Sequence, residues 1–199
     1  MKHQLVVEQK LRIERVWAMP DQWTFKIKPI AKLLKEEITG GVWIDPYAGQ
    51  NSPAQITNDI SPNSKAQYHM DAFDFLKAQA SASADGILFD PPYTLRQLKE
   101  CYENALQAKA PAHIFNAKYN ADQKDQIGRI IKPGGKAICF GYNSIGIGKT
   151  RGFRLERVLL VAHGRMHNDT IITVERKVNG SLFWTSGSFE LPNTHGSWE

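Results

Sequence analysis

The sequence predicts an α/β domain in three layers: a mainly parallel sheet covered by helices and ending in a hairpin. Three observations carry this. Short apolar runs alternate with segments of helical periodicity, the pattern of successive βαβ units. Several of the runs end in an acid, at Asp45, Asp59, Asp71 and Asp90. Two longer apolar runs, residues 154–162 and 170–178, flank Gly164 and Asn168-Asp169, which reads as the two arms of a hairpin.

The chain of 199 residues suffices for one domain with a well-buried core, and 42% hydrophobic and 23% charged residues are ordinary for a globular protein. A single domain over 1–199 is expected, with an arm at 1–24, a core at 25–178 and a tail at 179–199. No apolar run is long enough to span a membrane, and Met1-Lys2-His3-Gln4 opens without the apolar region of a signal peptide. Cys101 and Cys139 form no Cys-x-x-Cys pair, so neither a disulfide framework nor a zinc site is indicated, and a cytoplasmic setting is expected. The net charge of +5 is compatible with a polyanionic partner.

Residues 2–14 mix charges with Leu5, Val6, Val7, Leu11 and Ile13 and fit either a strand or an arm. Pro29 suits the first turn of a helix, Ile30, Leu33, Leu34 and Ile38 follow at helical spacing, and Gly40-Gly41 ends it. Val42-Trp43-Ile44 is a short strand running into Asp45-Pro46-Tyr47-Ala48-Gly49. A second strand at 54–58 ends in Asp59, and a third at 66–70 ends in Asp71. Phe73 to Leu76 reads as a helical turn, 79–85 as a Ser/Ala-rich connector, and 86–89 as a buried strand ending in Asp90. A helix at 95–108, a loop with Asn116, Lys118, Tyr119 and Asn120, a helix at about 123–131 and a strand at 136–142 complete the alternation. The helix at 123–131 is expected to stop at Lys132-Pro133-Gly134-Gly135. The tail from Gly180 is rich in Gly, Ser and Trp.

Asp90-Pro91-Pro92-Tyr93 carries the chemistry. The prolines lack the N–H that a ladder needs, so they stop the strand and hold Asp90 at its carboxyl end, where open α/β sheets bind ligands. An exocyclic amine on a nucleobase is a poor nucleophile, because its lone pair is delocalised into the ring. A carboxylate and a rigidly aimed carbonyl, each accepting one N–H, draw that nitrogen toward tetrahedral geometry, and such groups act best when oriented beforehand. Tyr93 offers a ring to stack on the base. The same four residues also fit a plain strand end with a packed tyrosine.

In their order these pieces resemble the S-adenosylmethionine-dependent amino-methyltransferases of nucleic acids, most closely the DNA adenine-N6 group, from about Phe25 to Lys177. Asp90-Pro91-Pro92-Tyr93 matches that family's catalytic tetrapeptide, and Ile44-Asp45-Pro46-Tyr47-Ala48-Gly49 is similar to its cofactor motif. Asp59, followed by Ile60, sits where the family places the acid for the ribose hydroxyls. Met70-Asp71-Ala72-Phe73 resembles the segment flanking the adenine ring, and Phe25-Lys26-Ile27-Lys28-Pro29 its Lys-Pro segment near the methionine end.

The resemblance implies a Rossmann-like methyltransferase fold with seven strands ending in an antiparallel hairpin. It also implies S-adenosyl-L-methionine as cofactor, no metal, and methyl transfer to adenine N6 in DNA with base flipping. Asp45 is expected near the cofactor's ammonium, and Asp90 and the Pro91 carbonyl on the amine, with Pro92 stiffening the turn. The sequence departs from the family in two places. Only residues 50–54 separate the cofactor motif from the next strand, with Asn51 and Ser52 in place of the second glycine. No block is large enough for a target-recognition domain.

The expected nucleic-acid contacts are Tyr93 and basic loop residues, Lys118, Lys149, Arg151 and Arg165, with Arg154 beside them. A partner subunit or self-association is the other source of target recognition. Cytosine N4, an RNA base, a protein glutamine, or a non-catalytic binding subunit of the same fold are the rival readings.

Gly146-Ile147-Gly148-Lys149-Thr150 imitates the end of a P-loop, but Asn143 replaces the first glycine and a strand follows it. It reads better as a basic loop touching phosphates. His163 and His167 have metal-like spacing only on a helix, so structural or solvated histidines are expected. Trp17, Trp23 and Tyr142 read as core more readily than as a base pocket.

Overall fold

The computed structural model describes residues 10–107, 109–116, 118–164 and 167–178. Arg165, the first nine residues of the expected arm and the tail at 179–199 lie outside the described residues.

Strand β1 (Arg12–Trp17) opens the chain, followed by α1 (Lys28–Glu37), β2 (Trp43–Asp45), β3 (Ile56–Thr57) and α2 (Ala72–Ala78). Then come β4 (Ala84–Phe89), α3 (Leu95–Leu106), α4 (Tyr119–Ile130), β5 (Ile131–Gly141), β6 (Phe153–Ala162) and β7 (Thr170–Lys177). All seven strands form one sheet in the order β1-β6-β7-β5-β4-β2-β3. β7 runs antiparallel to both its neighbours, β5 and β6, and every other pairing is parallel.

Strand alternation sorts the core into two faces. Leu88, Ile138 and Phe140 point to one side, where α1 lays Ile30, Leu33 and Leu34 on them with Trp43, Leu159 and Ile172. Ile87, Phe89, Ala137 and Cys139 point to the other side, against Phe75 and Leu76 of α2 and Ile127 and Ile130 of α4. The expected three layers follow from these two faces. Gly86 sits under the Trp43 indole so closely that a Cβ there would overlap the ring. Helix α3 belongs to neither layer. It starts with a capping box between Thr94 and Gln97 and buries Leu98 and Tyr102 against Ile114 and Tyr119, beyond the ends of the strands.

The seven strands are not the seven that the sequence suggested. The third expected strand, 66–70, is reduced to one parallel bridge, Asn58 to Tyr68, because none of its residues is buried and nothing rewards a longer ladder. The count is restored at the opposite edge, where Arg12–Trp17 resolves the choice between strand and arm by pairing with Arg157–Ala162. Arg157 holds that edge. This 6% exposed guanidinium meets Glu14 at 2.6 Å, Glu36 at 2.7 Å and Glu37 at 3.1 Å, joining β1, α1 and β6.

Two boundaries also move. Helix α4 starts at Tyr119 rather than near Gln123, since the Tyr119 N–H finds the Asn116 carbonyl at 2.9 Å and the ring is buried. The strand expected from Lys136 begins at Ile131. Lys132-Pro133-Gly134-Gly135 is a bulge within β5, whose register on β4 jumps from Ala84–Ile131 to Gly86–Lys136. No helix among the described residues is long and apolar enough to cross a membrane.

Candidate active site

β2, β3, β4 and β5 deliver their carboxyl ends to one edge of the sheet, the place where parallel α/β sheets bind ligands. Two of the clefts there meet at Tyr47. The larger, about 400 Å³, is lined by Pro46, Tyr47, Asp59, Ile60, Ala72 and Pro92, with Leu98, Cys101 and Tyr102 of α3 as its outer wall. The smaller, about 190 Å³, is lined by Phe25, Tyr47, Ala48, Gly49 and Asp90, with Trp23 and Thr24. Nine of the expected cofactor-binding residues are thereby brought to two adjoining spaces.

Asp59 is built as an acceptor. Its two carboxylate oxygens each take one backbone N–H, from Gly49 at 2.9 Å and Ser61 at 2.8 Å, and each keeps a lone pair for a ligand in the larger cleft. Asp45 behaves differently and corrects the expectation that it meets a ligand ammonium. It is fully buried, accepts the Tyr47 N–H at 2.9 Å and the Ser52 hydroxyl at 2.6 Å, and so ties down the 46–52 loop from within. Burial, with the charges of Asp90 and Asp59 nearby, pushes its carboxyl up to about 7. The turn from Gly49 to Asn51 contains no helix, as its shortness requires.

Asp71 and Phe73 also differ from expectation. The Asp71 carboxylate caps α2 through the N–H groups of Phe73 and Asp74 and receives the hydroxyls of Tyr102 and, at 3.2 Å, Tyr119. His113 Nε2 lies 3.2 Å from it as well. Burial opposes ionisation, but these hydrogen bonds prevail and hold the carboxyl below its ordinary range. With its acceptors occupied, Asp71 shapes the wall while its neighbour Ala72 faces the cleft. Phe73 packs against the cluster around Leu98. Lys28 is exposed at the start of α1 and lines neither cleft.

Asp90 follows β4 directly, and the Tyr93 hydroxyl donates to its Oδ1 at 2.5 Å. Burial raises the Asp90 carboxyl, and hydrogen bonds from Tyr93 and Thr24 pull against that. The Tyr93 ring is fixed on its other side by Tyr142, with centroids 4.6 Å apart and planes at 66°. Its backbone N–H donates to Gln97 at 3.0 Å, so the α3 cap and the tetrapeptide are one unit. Pro91 and Pro92 separate the two clefts already described from two more. One of about 300 Å³ runs along Tyr93, Ile114, Asn116 and Tyr119, and one of about 110 Å³ is closed by Asn120, Lys124, Tyr142 and Asn143. The tetrapeptide, with Tyr47 and Leu98, thus stands between two sets of cavities.

Sequence reasoning passed over Thr24, Lys124 and Asn143, and set Tyr142 aside as core. Tyr142 was findable, because it follows β5 as Asp90 follows β4. The others sit on segments whose approach to the site depends on tertiary packing.

The basic loop is also rearranged. Lys118 and Lys149 are exposed, but Arg151 is spent inside the chain, on Asp125 at 2.6 Å and on the Ile147 and Ala121 carbonyls. The P-loop-like turn does bind an anion, though one of its own. The N–H groups of Ile147 and Gly148 donate to the buried Glu175 carboxylate at 2.5 and 3.0 Å, and a Cβ on Gly146 (φ 58°) would overlap it. His163 is buried between the Ala18 carbonyl and the Thr170 hydroxyl, both at 2.9 Å, as a structural residue. Among the described residues, no group of three His, Cys, Asp or Glu is placed to hold a metal.

No protein-family model matches the chain, and no curated protein does. Solved structures do match. The 1,6-didemethyltoxoflavin-N1-methyltransferase of Burkholderia thailandensis, solved with 1,6-didemethyltoxoflavin and S-adenosylhomocysteine, superposes with a TM-score of 0.50 at 11% identity. The match covers 75% of this chain and 76% of that one. The N-methyltransferase NodS of Bradyrhizobium japonicum WM9 gives a TM-score of 0.48 at 12% identity, over 76% of this chain and 96% of its own. NSun6 of Pyrococcus horikoshii gives 0.48 at 18%, over 75% and 51%. The first of these, with the strand order and the antiparallel β7, defines the class: the chain has the Rossmann-like methyltransferase fold. Identity this low establishes the fold and transfers no residue role.

Proposed function

We propose that this protein moves the methyl group of S-adenosyl-L-methionine onto the exocyclic N6 of adenine in DNA. The observation that carries the reading is the position of Asp90-Pro91-Pro92-Tyr93 between the clefts lined by Asp59 and Asp90 and the Tyr93-lined ones. A donor on one side and an acceptor on the other would meet at Asp90. The likeness to a methyltransferase solved with S-adenosylhomocysteine supports the same donor.

The cavities fit that donor. The 400 Å³ cleft has the apolar walls and the single aimed carboxylate that a nucleoside needs, with Asp59 for two ribose hydroxyls and Ile60, Ala72 and Leu98 around the base. The narrower cleft leads from Tyr47 to Asp90 and is wide enough for an aminoacyl arm beside Phe25, Ala48 and Gly49. Asp59 and Asp90 each line one of these clefts, so carboxylates there favour a ligand with a positive centre. Bound there, the cofactor supplies an electrophilic methyl on a sulfonium, a group that needs no metal.

The chain's own residues do the rest. Asp90 accepts one N6 hydrogen and the Pro91 carbonyl the other, which localises the nitrogen lone pair. The nitrogen forms its bond to the methyl carbon as the carbon–sulfur bond breaks, and the surplus proton leaves toward Asp90 and solvent. Tyr93, braced by Tyr142, stacks on a base that in duplex DNA must first be flipped out, at a cost of a few kcal/mol. Two features favour a non-catalytic role, the shortened 50–54 segment after the cofactor motif and the Tyr93–Asp90 hydrogen bond that covers the acid in this state.

Transfer of labelled methyl to DNA and to RNA, followed by nucleoside digestion, tests the reading. N6-methyladenine from DNA is expected, lost in Asp90→Ala with cofactor affinity kept. Asp59→Ala should weaken cofactor binding by about tenfold or more, the cost of removing a charged acceptor. Label in cytosine moves the substrate to its N4, and an inactive chain that binds no cofactor overturns the proposal.

A further inference from the structure

The 110 Å³ cleft beyond Tyr93 contains a feature that methyl transfer does not use. Lys124, on the second turn of α4, lines it together with Asn120, Asn143, Tyr142 and Pro91. The lysine is partly buried, and no hydrogen bond or ion pair joins it to a described residue. Each charge near it is already engaged. Glu175 spends both oxygens on the Ile147 and Gly148 N–H groups, and Arg151 is paired with Asp125. Cys139, also on this wall, is a buried thiol pushed well above its ordinary range by burial, and so uncharged. Lys124 is therefore a partly desolvated cation facing a polar cavity, flanked by two side-chain amides. Burial also lowers its ammonium, with the Arg151 charge adding to this and Glu175 opposing it. An unpaired cation of this kind is costly unless a ligand completes it.

We infer that Lys124, Asn120 and Asn143 form an anion site that takes a backbone phosphate next to the target nucleotide. A phosphate offers several acceptor oxygens to one ammonium and two amide N–H₂ groups, and its volume suits a cleft of about 110 Å³. The site lies on the Tyr93–Tyr142 side of the tetrapeptide, so a phosphate held there keeps the stacked base in reach of Asp90. Phosphate contacts fix register and orientation without reading sequence. The inference rests on the nucleic-acid reading above and names how that substrate is held.

The test compares oligonucleotides containing one adenine, flanked either by natural phosphates or by uncharged methylphosphonates, on the wild-type chain and on Lys124→Gln. Neutral linkages should raise the wild-type KM about tenfold, the value of a charge-assisted contact, and leave Lys124→Gln unmoved. Lys124→Arg, which keeps the charge, should retain the wild-type response. Equal losses in wild type and Lys124→Gln, or a wild-type KM in Lys124→Gln, overturn the site. A second readout does not need turnover: inorganic phosphate added to ¹⁵N-lysine-labelled protein should shift the Lys124 Nζ resonance. If no oligonucleotide is methylated yet phosphate moves that resonance, the anion site stands and the adenine reading falls. An unmoved resonance overturns the anion site whatever the substrate.

Discussion

The Tyr93 hydroxyl is bonded to the acid that the reaction needs, so its removal reports on that acid. Asp90 has its carboxyl raised by burial, and the Tyr93 donor is one of the two groups lowering it. Tyr93→Phe keeps the stacking ring but removes this donor, so the Asp90 carboxyl rises further. The acid limb of kcat/KM against pH should move to higher pH in the variant, and a coincident limb would separate Tyr93 from the ionisation of Asp90. Asp45 makes a prediction about folding. Its carboxyl stands at about 7 in the folded chain against a reference value of 3.8. Between those values the unfolded chain has lost the proton and the native one still holds it, so stability falls as pH rises through that window. Asp45→Asn removes the titration. Denaturation at pH 4 and pH 8 should show wild type losing up to about 4 kcal/mol relative to the variant.

Helix and strand edges carry the next set of consequences. β1 is an edge strand with Ile13 and Trp17 exposed, so burial of its side chains contributes little to its place in the sheet. Its anchor is Arg157 with Glu14, and the same guanidinium holds the end of α1 through Glu36 and Glu37. Arg157→Ala leaves the partly exposed carboxylates facing one another around a hole, and losing hydrogen bonds to a charged group that solvent partly screens costs about 1.5–3 kcal/mol. Urea denaturation should register a loss of that order, with hydrogen exchange fastest in β1. Unchanged protection of β1 would show that the ladder to β6 suffices. α3 is held differently, by its capping box and by the Tyr102 hydroxyl, which meets Asp71 and the Tyr119 hydroxyl of α4, so a carboxylate that appeared to face a ligand instead fastens the cleft's outer wall.

Across the molecule, the basic surface divides into engaged and available charge. Arg151 holds the 144–152 loop to α4, whereas Lys149 is exposed on that loop and Lys118 is exposed between Asn116 and Tyr119, two residues lining a target-side cleft. The double variant Lys118→Ala, Lys149→Ala should therefore weaken oligonucleotide binding about equally for all sequences and flatten the dependence of log K on log salt. A loss confined to one sequence would mean base reading by these residues. With no inserted recognition domain among the described residues, relaxed selectivity is the expected companion of such binding.

The alternation of apolar runs with helical segments was enough to determine the layers, because burial on both faces of a parallel sheet leaves a pattern in the chain itself. Asp90-Pro91-Pro92-Tyr93 and Asp59 were legible for a similar reason, since a proline stop or an acid at a strand end has a local cause. Tertiary structure alone decided the rest. Asp45, Asp59, Asp71 and Asp90 look alike as acids closing strands, and only packing separates the one sealed in the core, the one committed to two tyrosines, and the two that face clefts. The outer strands depended equally on context: 66–70 lost its ladder for want of burial, and 12–17 gained one from Arg157. Lys124 carries no signal in sequence at all. Its character comes from what surrounds it, as Glu175 and Arg151 are drawn to other partners by contacts with residues far away in the chain.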